Sequence, residues 1–66
     1  MRVSFRITIR GQLSQRFAAA FEGVTSEPGA GETVLVGCLD QAELYGLIAR
    51  LSEFGLELVR VEEVPQ

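Results

Sequence analysis

Hydrophobic and polar residues alternate without a break from Arg2 to Arg10. Val3, Phe5, Ile7 and Ile9 fall on one side, and Arg2, Ser4, Arg6, Thr8 and Arg10 on the other. Period two over a segment rich in β-branched and aromatic residues predicts a strand with one buried face. Gly11-Gln12 breaks the pattern. Ser14 is placed to cap a helix, and Leu13, Phe17, Ala20 and Phe21 lie near one helical face. With Gly23 as a stop, a first helix is expected over 14–22. Residues 24–27 suit a short edge strand. Pro28-Gly29-Ala30-Gly31 favours a tight turn. The apolar run Thr33–Leu39 predicts a central strand over 32–39, covered on both faces or nearly so.

The segment after Leu39 carries the strongest local signature. Asp40 is placed as N-cap and Glu43 stands three residues later, a capping-box spacing. Leu39 and Leu44 flank the cap as a hydrophobic staple. Leu44, Leu47, Ile48 and Leu51 then recur at helical spacing, and Gly55 ends the segment. Gly46 costs about 1 kcal/mol in a helix interior. Close approach to the Ala-rich first helix is the expected reason for it. The last strand, 56–64, has an ambiguous phase. Leu56 and Leu58 suggest one buried face, and Val59 and Val61 the other. A bulge reconciles them, and so does burial on both faces.

The expected order is βαββαβ, an α+β sandwich with two helices on one face of a four-stranded antiparallel sheet. Right-handed crossovers put the first and third strands at its centre. The stretches Val34-Leu35-Val36-Gly37, Leu39-Asp40-Gln41-Ala42-Glu43-Leu44, Gly46-Leu47-Ile48-Ala49-Arg50-Leu51 and Leu56-Glu57-Leu58-Val59 resemble small uncharacterised bacterial ferredoxin-like proteins. They also resemble the layout of an ACT-type regulatory domain. The resemblance implies a tendency to dimerise through sheets. The ACT likeness implies a small effector near the loop after the first strand, where Gly11 stands. An anionic effector would meet Arg10, Gly11, Gln12, Leu13 and Arg16.

Composition narrows the function. The 66 residues suit one domain, and a chain this short buries only about 60% of its unfolded surface. Such domains lean on disulfides, metals, assembly or very regular packing. Cys38 is the only cysteine and there is no histidine, so neither an internal disulfide nor a metal site is expected, and no cofactor. A lone cysteine, arginines that interrupt the first apolar run and no apolar stretch of membrane-spanning length point to the cytoplasm. Cys38 itself reads better as a small buried hydrophobe than as a thiolate activated by a helix N-terminus.

Charge is segregated. Residues 1–20 hold Arg2, Arg6, Arg10 and Arg16 and no acid; all nine acids lie beyond, with only Arg50 and Arg60. The net charge of −3 argues against nucleic acid and anionic membranes. RNA-recognition domains of this topology stack bases on aromatic residues that project from the first and third strands, but the outward positions of the first strand are Ser, Thr and Arg and the third strand has no aromatic residue. Arg2, Arg6 and Arg10 share the face that helices leave bare, spaced ~13 Å apart. Pairing with Glu57, Glu62 or Glu63, or with a second subunit, is the simpler reading; an anion or partner surface is the other. No histidine supplies a general base, and no serine has a neighbour to activate it, so no catalytic residue is expected. A non-catalytic homo-oligomer, most simply a dimer, is the leading expectation. Arg2, Arg6, Tyr45 and Phe54 are its candidate contacts. A small-anion regulatory domain and an accessory subunit docking a protein partner through the arginines are the alternatives.

Overall fold

The computed structural model describes residues 2–13 and 23–65. Its elements are β1 (Val3–Arg10), β2 (Val24–Pro28), β3 (Glu32–Leu39), α1 (Gln41–Glu53) and β4 (Glu57–Glu63). The strands form one antiparallel sheet in the order β2-β3-β1-β4. β1 and β3 hold the central positions, as expected.

The expected βαββαβ sandwich is corrected. Among the described residues the order is β-β-β-α-β, with a single helix. The helix expected over 14–22 lies outside the described residues. An alanine run and one short apolar face are a thin basis for a helix, because short helices gain little from propensity alone.

The core forms between the sheet and α1. Ile7 and Ile9 of β1, Leu35 and Leu39 of β3, and Leu44, Leu47 and Leu51 of α1 make up the buried cluster. Phe5, Leu13, Val24, Ile48 and Leu56 pack against its margin. Each buried leucine or isoleucine contributes about 1.5–3 kcal/mol from removal of apolar surface from water.

Both ends of α1 are closed by the side chains and backbone that the sequence places there. Asp40 Oδ1 accepts from Glu43 N at 2.8 Å, and Glu43 Oε1 accepts from Asp40 N at 2.9 Å, a complete capping box. At the other end Gly55 takes φ +76. Its N–H donates to Ser52 O at 3.0 Å, and Leu56 N–H donates to Leu51 O at 3.0 Å. These two bonds are the Schellman pattern, and Leu51 and Leu56 both reach the core beneath it. Gly46 is exposed, and no described atom lies within 4 Å of where a Cβ would stand. The close approach to a first helix expected for it falls on residues outside those described.

The last strand resolves its own phase. Ile7 faces Val61 and Thr8 faces Arg60, but Ile9 faces Leu58, so Val59 is an extra residue in a bulge. The bulge brings Leu58 and Val61 to the same side of the sheet although three positions separate them.

Candidate functional site

The face of the sheet away from the core carries the charged residues that the sequence singled out. Across it, β1 presents Ser4, Arg6, Thr8 and Arg10. Their partners are Cys38, Val36, Val34 and Glu32 on β3, and Glu62, Arg60 and Glu57 opposite Arg6, Thr8 and Arg10 on β4. Thr25 and Glu27 of β2 extend the rows past Val36 and Val34.

The arginines are not equivalent. Arg10 pairs with its register partner Glu57 at 2.7 Å. Arg2 turns to the helix and grips Glu43 with both amino groups, Nη1 to Oε1 at 2.9 Å and Nη2 to Oε2 at 3.1 Å. Its Nη1 also reaches Cys38 O at 3.3 Å. Glu43 thus serves the capping box and an ion pair at once. Arg6 stands opposite Glu62, whose carboxylate is taken by Arg60 at 2.9 Å. No ion pair to Arg6 forms among the described residues. All these groups are well exposed, so each pair contributes at most about 1 kcal/mol.

Thr8 departs from the pattern. It is 2% exposed although it faces away from the core, and its Oγ1 has no hydrogen-bond partner among the described residues. Its neighbours on that face are Arg6, Arg10, Val34 and Arg60. A short side chain ringed by longer ones is shaded by their stems.

The loop candidates sit at one end of the sheet. Gly11 adopts φ +104, a conformation that L side chains resist. Its N–H donates to Gly31 O at 2.9 Å, and its carbonyl accepts from Thr33 Oγ1 at 2.8 Å. The polar groups of this turn are therefore engaged with the β2–β3 hairpin. Gln12 is exposed, Leu13 leans on the core, and Arg16 lies outside the described residues.

The contact candidates on the helix are separate. Tyr45 is exposed beside a shallow depression that it forms with Asp40, Gln41 and Ala42, and its hydroxyl accepts from Gln41 Nε2 at 2.9 Å. Phe54, the C-cap residue, is 64% exposed. Cys38 is exposed, not buried, because Leu39 takes the inward position and Cys38 the outward one. Its apolar neighbours hid that alternation in the sequence.

Sequence reasoning missed the β4 edge. Leu58, Val59 and Val61 are between a third and a half exposed on a strand with no neighbour on its outer side among the described residues. Their clashing phases were the available signal. The alternation Arg60-Val61-Glu62 was another, since it sets two opposite charges on one face.

Residues 4–62 match the profile of a domain of unknown function, DUF8691. The chain belongs to that family. The match runs from β1 to β4 and so takes in all four strands of the DUF8691 domain but for Val3 and Glu63 at the ends. No curated protein and no solved structure matches this chain. Among the described residues of the DUF8691 domain, no group of three or more His, Cys, Asp or Glu converges as a metal site needs. None of its described helices is long and apolar enough to cross a membrane.

Proposed function

We propose that this DUF8691 domain is a non-catalytic interaction module that works as a homodimer. The observation that carries the reading is the exposed apolar set Leu58, Val59 and Val61 on an edge strand. Sheet edges invite pairing, and proteins that stay monomeric guard them with proline, charge or short length. The opposite edge, β2, is guarded in that way: it has five residues, includes Glu27 and ends in Pro28. The β4 edge has charges and a bulge of its own, but it is longer, holds three exposed apolar residues and includes no proline. A chain of 66 residues also gains most from covering such a strip.

The effector reading has less support. Arg10 is engaged by Glu57 and the Gly11 backbone by the neighbouring hairpin, which leaves that loop few free groups to offer an anion. A protein partner docking on the arginine face meets the same difficulty, since Arg2 and Arg10 are both paired within the chain. The absence of histidine from the chain supports the non-catalytic part of the reading. The single thiol suits a reducing compartment, and we place the domain in the cytoplasm.

Sedimentation velocity across low to high micromolar concentrations tests the proposal. A mass of twice the chain is the expected result. A species that stays at one chain throughout refutes it.

A further inference from the structure

The backbone of β4 shows which of its groups are free to pair. Val64 N–H donates to Ser4 O at 2.8 Å, and Glu62 and Arg60 continue the same register opposite Arg6 and Thr8. In an antiparallel ladder alternate residues bond to one side. Arg60, Glu62 and Val64 therefore turn their N–H and C=O toward β1, and Val61 and Glu63 turn theirs out of the sheet.

We propose that β4 pairs antiparallel with β4 of a second copy about a two-fold axis through Val61, joining two sheets into one of eight strands. The inference rests on the homodimer reading and adds its geometry. Two constraints select the register. Outward-bonding residues must oppose each other, and opposed side chains must share a face. Only shifts by two residues satisfy both. Centring on Arg60 sets Arg60 against Arg60, and centring on Glu62 sets Glu62 against Glu62. Centring on Val61 sets Arg60 against Glu62 of the second copy, twice.

Charge complementarity then extends across the join. Arg60 and Glu62 already pair within one chain at 2.9 Å, and Arg6 stands beyond Glu62 on β1. In the dimer one row of the open face reads Thr25, Val36, Arg6, Glu62, followed by Arg60, Thr8, Val34 and Glu27 of the second copy. On the opposite face the two Val61 side chains meet, each 36% exposed in the single chain. The bulge at Val59 bends the strand and ends the pairing. The two-fold uses up both β4 edges, and Pro28 guards the β2 edges, so assembly closes at two copies.

The test compares sedimentation of the full chain, Arg60→Glu, Glu62→Arg, and an equimolar mixture of the two variants, with circular dichroism to confirm folding. Each single variant sets like charges against each other in its own dimer. Dimerisation is expected to weaken by about tenfold or more. In the mixture the new carboxylate at position 60 of one chain meets the new guanidinium at position 62 of the other, and a heterodimer forms. Variants that dimerise as tightly as the parent, or a mixture that fails to recover association, overturn the register while leaving the homodimer intact. A parent that is monomeric refutes the homodimer reading itself.

Amide exchange on the parent chain supplies a measurement that needs no variant to fold. The Val61 amide, which meets its own copy at the two-fold axis, is expected to gain protection as concentration rises. An amide that exchanges equally fast at both ends of the concentration range overturns the pairing.

Discussion

The two faces of the sheet are held by different means, and β1 belongs to both. On the helix side, Ile7 and Ile9 are 1% and 0% exposed in an apolar cluster, with Thr33 buried opposite Ile9. On the other side, Arg6 and Arg10 are exposed among carboxylates and valines. Burial on the first face is nondirectional and large. Pairing on the second is directional and weak. The difference teaches that stability and recognition are divided between alternate residues of one strand. The helix side keeps the chain folded, and the charged side sets which strand may lie beside which.

Removing mass from the helix side is the strongest test of that division. Leu35→Ala is expected to lower the unfolding free energy by about 3 kcal/mol, read from urea denaturation at fixed protein concentration. A chain of this size has little more than that to lose. A loss under about 1 kcal/mol argues that the core is not where the stability lies.

Thr8 is the residue that breaks the contrast, since it is buried on the charged side. Thr8→Val removes a hydroxyl that has no partner among the described residues and keeps the shape. It is expected to raise stability by about 1 kcal/mol in the same measurement. A loss of stability instead means that the hydroxyl is bonded when the domain is folded in solution.

The smallest effect belongs to the ion pairs. Arg10→Ala is expected to cost less than about 0.5 kcal/mol, and the difference should vanish in molar salt. Arg10 and Glu57 side chains are 64% and 61% exposed, which is why their 2.7 Å contact contributes so little. A cost that is larger and indifferent to salt gives the charged side a structural share it is not assigned here.

Much of this was legible before the fold was known. The nine-position alternation around Phe5 and Ile7 fixes β1 and its faces, because period two has no other reading over that length. Asp40 and Glu43 mark the helix start, since the capping box is a local pattern of side chain and backbone. Glu57 was among the partners expected for the arginines, and it meets Arg10. The partner of Arg2 was not foreseen, because Glu43 comes near only once α1 packs across the sheet. Cys38 was misjudged because an apolar run conceals alternation. Thr8 was misjudged because a polar type on the outward phase reads as wet, whereas shading depends on the neighbours across two strand pairs. The helix expected over 14–22 rests on a short amphipathic stretch alone, with no capping box to fix its start, and it lies outside the described residues.

The place of β1 between β3 and β4 also bears on how the molecule is made. During synthesis this strand emerges ahead of both its neighbours, and β4 follows it by almost fifty residues. The sheet cannot close until residues 57–63 have cleared the ribosome. Until then Ile7 and Ile9 lack their full covering, and the nascent chain is at its most prone to aggregate. Further sequence translated after β4 gives that slow step time on the ribosome, so a carrier protein fused behind β4 should raise soluble yield more than the same carrier placed in front.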